Sequence, residues 1–135
     1  MGQFEVILVD THVLVWLAFD ESRLSKKARA TIADARQHGE GLAVSDISLW
    51  ELATLASKGR IDLHISLESY LEEVETRFVV FPITARVCVR TLALPATYPK
   101  DPADRIIAAT ALVEGLPLLT ADGEIRRSGA LPTIW

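Results

Sequence analysis

The chain has 135 residues, 50% of them hydrophobic and 24% charged, which suits one compact domain over residues 1–135 and leaves no room for two. One cysteine, Cys88, excludes an intrachain disulfide, and the longest purely apolar run, residues 13–19, is far short of the roughly 20 residues needed to span a bilayer. The net charge of -4 lacks the basic footprint usual for a nucleic-acid binder, but it does not exclude a nuclease: with four of the 18 acids gathered at a metal site, the rest balance the 14 bases.

Val6, Ile7, Leu8 and Val9 form a continuous apolar run of strand length, the mark of a strand covered on both faces. Asp10 can cap a helix that begins at Thr11. Ser25 caps a helix running to about residue 37, with Ala28, Ile32 and Ala35 at helical spacing and Gly39 as its stop. A second strand is expected at Leu42, Ala43 and Val44, followed by a helix capped by Ser45 that carries Ile47, Leu49, Trp50, Leu52 and Leu55 to a break at Gly59. Ser66 opens a helix to about residue 77, residues 78–81 read as a third strand, and Thr84 opens a helix to about residue 94, before Pro95. Asp101 and Pro102 are a cap and a first-turn proline for a helix that Gly115 ends. Leu118 and Leu119 make a fourth strand, and Thr133 and Ile134 a weaker last one.

Strands alternating with helices imply βαβ crossovers, hence α/β architecture with a mostly parallel sheet covered on both faces. The order of the strands is not readable from the sequence. With no basic segment before Arg23 and a single cysteine, the chain is expected to be a soluble, cytoplasmic protein with no membrane attachment.

In open parallel sheets, sites form outside the carboxyl ends of the strands. Asp10 and Thr11 follow the first strand, and Thr120, Ala121 and Asp122 follow the fourth. Glu51 lies on the helix after the second strand, and Asp104 in the first turn of the helix capped by Asp101. Each acid alone has a structural explanation. Asp10 reads as a cap, Asp104 as half of a capping box, Asp122 with Gly123 as a turn, and Glu51 as a surface charge.

Three of the four lie at ends that a parallel sheet brings to one rim, and the helix after the second strand can aim Glu51 at the same rim. Carboxylates about 4 Å apart repel by roughly 4 kcal/mol per pair at an effective dielectric near 20, so such a cluster calls for a cation. Oxygen-only ligands favour Mg²⁺ or Mn²⁺ over zinc. Other chemistries fit poorly. His12, His38 and His64 are too scattered for a zinc site and read as solvated or half-buried. No Gly-rich phosphate loop is present, and Ser45 and Ser48 lack the Gly-x-Ser-x-Gly context of a hydrolase nucleophile. Cys88 reads as packed core, and Trp16 and Trp50 as core or interface anchors.

The segments Val9-Asp10-Thr11-His12-Val13-Leu14-Val15-Trp16, Ser48-Leu49-Trp50-Glu51-Leu52, Lys100-Asp101-Pro102-Ala103-Asp104-Arg105-Ile106-Ile107-Ala108-Ala109-Thr110-Ala111 and Leu119-Thr120-Ala121-Asp122 resemble the PIN domain family, and within it the VapC-type toxins of toxin-antitoxin pairs. That resemblance implies a three-layer α/β/α sandwich and a metal-dependent endoribonuclease that hydrolyses an RNA phosphodiester, in tRNA or rRNA, with a metal-activated water. It places Asp10, Glu51, Asp104 and Asp122 on the family's acidic, Mg²⁺- or Mn²⁺-binding positions, with Thr11, Thr120, Asp101 and Arg105 in support. It further implies a VapB-type antitoxin as partner and a homodimer. Lys58, Arg60, Lys100 and Arg105 are the candidate phosphate contacts. Two other readings stand beside it: a non-catalytic PIN-like module that binds RNA or protein, and a receiver-like phosphoacceptor domain. The latter calls for an acidic pair after the first strand, where this chain has one Asp.

Overall fold

Leu8 alternates with Ile7 and Val9 along the first strand, and this alternation sorts the two faces of the sheet. The computed structural model describes residues 6–38 and 41–135. Five strands, β1 (Ile7–Val9), β2 (Leu42–Ser45), β3 (Val79–Phe81), β4 (Leu118–Leu119) and β5 (Thr133–Ile134), form one all-parallel sheet in the order β3-β2-β1-β4-β5. Ile7 and Val9 face helices α1 (Thr11–Phe19), α2 (Lys26–Gln37), α3 (Asp46–Ser57) and α4 (Leu67–Arg77) through Val13, Leu14, Ile32, Leu52 and Val74. Leu8, Ala43 and Leu118 face α6 (Pro102–Glu114) and α7 (Gly123–Arg127) through Ile107, Ala108, Ala111 and Ile125. The result is a three-layer α/β/α sandwich. Both sheet faces are covered, which explains why the strands read as continuous apolar runs.

Local chemistry sets most helix ends. Ser25, Ser45, Ser66, Thr84 and Asp101 each accept a backbone N–H two or three residues ahead, which satisfies a donor the first turn leaves free. Gly115 ends α6 in the left-handed region, at φ 69°, where a residue with a Cβ is strained. The expected stop at Gly39 lies outside the described residues. Among the described residues no helix is long and apolar enough to cross a membrane.

Four expectations are corrected. Helix α5 (Ala85–Thr91) ends before residue 94, because Leu92 and Ala93 turn back onto Val89 and Arg90 and the chain then meets Pro95. Cys88 is exposed: α5 turns Val87 to the core, and Cys88 falls 100° around the helix from it. Trp50, 63% exposed, is no part of the core, which overturns the core half of its reading and not the interface half. Asp122 and Gly123 do not form a free turn, since Asp122 caps α7 through Oδ1, which accepts from Glu124 and Ile125. A short 3-10 turn at Glu21–Arg23, which no sequence signal announces, links α1 to α2.

Candidate active site

The chain builds β2 and β3 to one side of β1 and then crosses back to build β4 and β5 on the other, so the β1/β4 boundary is where strand order reverses. A crevice opens at such a boundary. Val9 pairs with Leu119, and the next residues on the two strands are Asp10 and Thr120. The register therefore delivers the Thr120 hydroxyl to Asp10, where Oγ1 donates to Oδ2 at 2.8 Å. Thr120 Oγ1 also accepts the Asp122 N–H at 3.1 Å, while Asp10 Oδ1 accepts the Thr11 N–H at 2.9 Å.

A second chain of hydrogen bonds starts in the core. The single hydroxyl proton of Thr11 goes to Glu51 Oε1 at 2.5 Å, so at the 2.8 Å contact between the Ser48 and Thr11 hydroxyls it is Ser48 that donates. Ser48 is wholly buried. Its relay through Thr11 holds Glu51 over the start of α1.

Asp10, Glu51 and Asp104 line one cleft of about 230 Å³, together with Thr11, His12, Val15, Trp16 and Leu55. Asp10 is only 3% exposed. Burial holds its carboxyl above the usual range, against the pull of His12 and of the bonds from Thr120 and Thr11, and the charge of Asp122 adds to the rise. Burial likewise raises Glu51; the Thr11 bond lowers it, and Asp10 and Asp101 raise it further. Asp104 is pushed up to about 7 by burial and then by the charges of Asp10, Asp101, Glu51 and Asp122. Three acids whose charged forms are all disfavoured by burial and by one another make a site that a cation would stabilise.

The other candidates lie elsewhere. Asp122, expected beside the other three acids, does not line the cleft: its charge reaches Asp10, but its Oδ1 is committed to α7, and Asp101 caps α6 by accepting the Asp104 N–H. Arg105 turns to the backbone, donating to the Pro99 carbonyl at 3.0 Å and reaching the Thr91 carbonyl at 3.5 Å, so it braces the α5–α6 connection. Lys58, Arg60 and Lys100 are exposed. Among the described residues, no three His, Cys, Asp or Glu side chains converge closely enough to share one ion. Mg²⁺ does not require that, because it keeps several waters and commonly takes one or two carboxylates. At about 30 Å³ per water, the cleft has room for a partly hydrated ion. The all-oxygen donor set fits a hard divalent cation.

Sequence reasoning missed His12. Its Nε2 accepts the Ala121 N–H at 3.0 Å, which leaves the ring proton on Nδ1, 3.6 Å from Asp10 Oδ2. It also missed Tyr98, a buried residue whose hydroxyl donates to the Asp104 carbonyl at 3.3 Å.

The family model described as PIN domain matches residues 7–131. The chain is 39% identical over 131 residues to Ribonuclease VapC22 of Mycobacterium tuberculosis (strain ATCC 25618 / H37Rv), covering 96% of this chain and 98% of that protein. In fold it is similar to VapBC2 from Rickettsia felis bound to a promoter DNA fragment, with a TM-score of 0.73 at 18% identity over 95% of this chain and 96% of that one. DNA-bound VapBC from Salmonella typhimurium gives a TM-score of 0.70 at 21% identity, with the same coverage of each chain.

Proposed function

The chain belongs to the PIN domain family, and from that premise we propose that it is a metal-dependent endoribonuclease, the toxin of a toxin-antitoxin pair. The observation that carries this reading is the cleft at the strand-order reversal, lined by Asp10, Glu51 and Asp104 in a chain 39% identical to a ribonuclease. Asp10, Glu51 and Asp104, with Asp122 behind Asp10, would hold Mg²⁺ or Mn²⁺, one or two of them directly and the others through the waters the ion keeps. Such an ion supplies counter-charge to the acids and Lewis acidity toward a phosphate oxygen.

The chain's own residues supply the rest. Thr120 and Thr11 fix Asp10 from both sides, and Ser48 through Thr11 fixes Glu51, so the oxygens that face the ion are oriented in advance. A cleft carboxylate that does not touch the ion directly, Glu51 or Asp104, is placed to take the proton that a water releases as it attacks phosphorus. In-line attack on an RNA phosphodiester in tRNA or rRNA leaves a 5′-phosphate and a 3′-hydroxyl. A VapB-type antitoxin is the partner this reading calls for, since the similar structures are VapBC assemblies, and a homodimer is the expected oligomer. Family membership leaves no place for the receiver-like reading.

The test is expression in a bacterial host without the antitoxin, beside Asp104→Asn, with sequencing of all new 5′-phosphate RNA ends. New ends concentrated at one RNA site in wild type alone support the ribonuclease. Two folded, soluble proteins that give identical RNA profiles point to the non-catalytic binding module.

A further inference from the structure

One wall of the cleft is aromatic, and the acids do not account for it. His12 and Trp16, one turn apart on α1, both line the cleft. Their rings lie 5.0 Å apart at 59°, and Trp135 lies 5.8 Å from Trp16 at 58°. The Arg23 guanidinium sits 4.4 Å from the centre of the Trp16 ring. The indole is thus packed between two tilted rings and covered by one cation.

Arg23 is exposed but its backbone is fixed. The 3-10 turn that carries it begins where the Asp20 N–H returns to the Trp16 carbonyl at 2.8 Å. Arg29 donates to the Glu21 carbonyl at 2.7 Å, and the next residue, Leu24, is buried in the core. Among the described residues no carboxylate lies within 4.0 Å of the Arg23 guanidinium. A guanidinium seated on a ring through its face keeps its N–H edge for an acceptor, and the acceptor it matches best, two bonds at once, is a phosphate. None of the other cations near the rim has comparable support: Arg105 is spent on carbonyls, and Lys58, Arg60 and Lys100 project from the surface.

We propose that Arg23, held on Trp16, binds a backbone phosphate of the RNA strand next to the scissile one and so guides a polyanion into a cleft whose own charge repels it. This rests on the ribonuclease reading. Preorganisation is what separates Arg23 from an ordinary surface arginine, because a cation already seated on Trp16, a residue of the cleft wall, loses less freedom on binding.

The experiment measures release of 5′-phosphate ends from total bacterial RNA in Mn²⁺, as a function of RNA and salt concentration, for wild type, Arg23→Gln, Arg23→Lys and Trp16→Leu. The expected result for Arg23→Gln is a fall of about tenfold in kcat/KM, carried more by KM than by kcat, and a log-log salt dependence shallower by about one unit, the signature of one lost phosphate contact. Arg23→Lys should keep the salt slope, and Trp16→Leu should weaken it as the cation loses its seat. An unchanged KM and salt slope in Arg23→Gln overturns the proposal. So does a rate loss with unchanged slope and a lowered melting temperature, which would make Arg23 only a brace for Trp16. Wild type that releases no ends overturns the ribonuclease reading itself, and the proposal falls with it.

Discussion

His12 and Ala121 lie 109 positions apart, yet the imidazole Nε2 accepts the Ala121 N–H at 3.0 Å. The bond ties the first turn of α1 to the segment between β4 and α7. That segment carries Thr120, which donates to Asp10, and Asp122, whose N–H donates to Thr120. His12 is therefore a positioning residue, acting on the acids through the backbone of residue 121.

His12→Phe keeps a ring beside Trp16 but leaves the Ala121 N–H without its acceptor. A loss of about 1 kcal/mol is expected, together with a several-fold fall in Mn²⁺ affinity. His12→Gln places an amide oxygen near the former Nε2 and should restore most of both. Calorimetric Mn²⁺ titration alongside thermal melts checks this; equal Mn²⁺ affinities in the two variants would show that the bond has no bearing on the acids.

Stability of the metal-free protein should fall as pH rises from about 4 to about 7. Asp104 titrates at 3.8 when unperturbed and at about 7 in the folded chain, so over that window the native state binds more protons than the unfolded state and loses stability as pH climbs. The raised Asp10 and Glu51 act with the same sign. Melts in chelator across this range should show the slope, and Asp104→Asn should flatten it.

Divalent metal should reverse the trend. At a Mn²⁺ concentration of 100 times Kd the wild type gains about 2.7 kcal/mol, read as a melting temperature several degrees higher than in chelator. Asp104→Asn should melt above wild type in chelator at pH 8 and gain little from Mn²⁺. Asp104 suits this test better than Asp10, whose oxygens already hold Thr11 and Thr120, so that an amide there breaks a bond while it relieves repulsion.

Thr11→Val preserves shape and cuts the relay from Ser48 to Glu51. Hydrogen bonds to charged groups are worth about 1.5–3 kcal/mol, so cleavage should fall by about one to two orders of magnitude. Thr11→Ser should retain most activity. Parallel assays of new 5′-phosphate ends decide it, and equal rates in the two variants would remove Thr11 from the site.

What the sequence revealed was what depends on neighbours a few residues away. Ser25, Ser45, Ser66, Thr84 and Asp101 read correctly as caps because a cap is satisfied within its own turn. The rule that sites open at strand ends brought Asp10 and Thr120 into one frame, with no knowledge of strand order. His12 reads correctly as half-buried, but its partner, like those of Arg105, was illegible for the opposite reason. A histidine reads the same whether it faces solvent or a backbone N–H 109 residues away, and an arginine gives no sign that it will spend its donors on carbonyls. Asp122 was ambiguous because Asp-Gly begins a turn and a helix with equal ease.

Strand β4 is two residues long, and the polar residue that steadies Asp10 comes directly after it. A ribosome that has released the chain only through α6 has already delivered Asp10, Glu51 and Asp104, but neither Thr120 nor the backbone that His12 grips. The cleft's first acid then has no clasp from across the sheet. Folding thus carries its own delay: the acids of the cleft are in the chain well before the residues that steady them, and the clasp on Asp10 closes only when β4 pairs with β1.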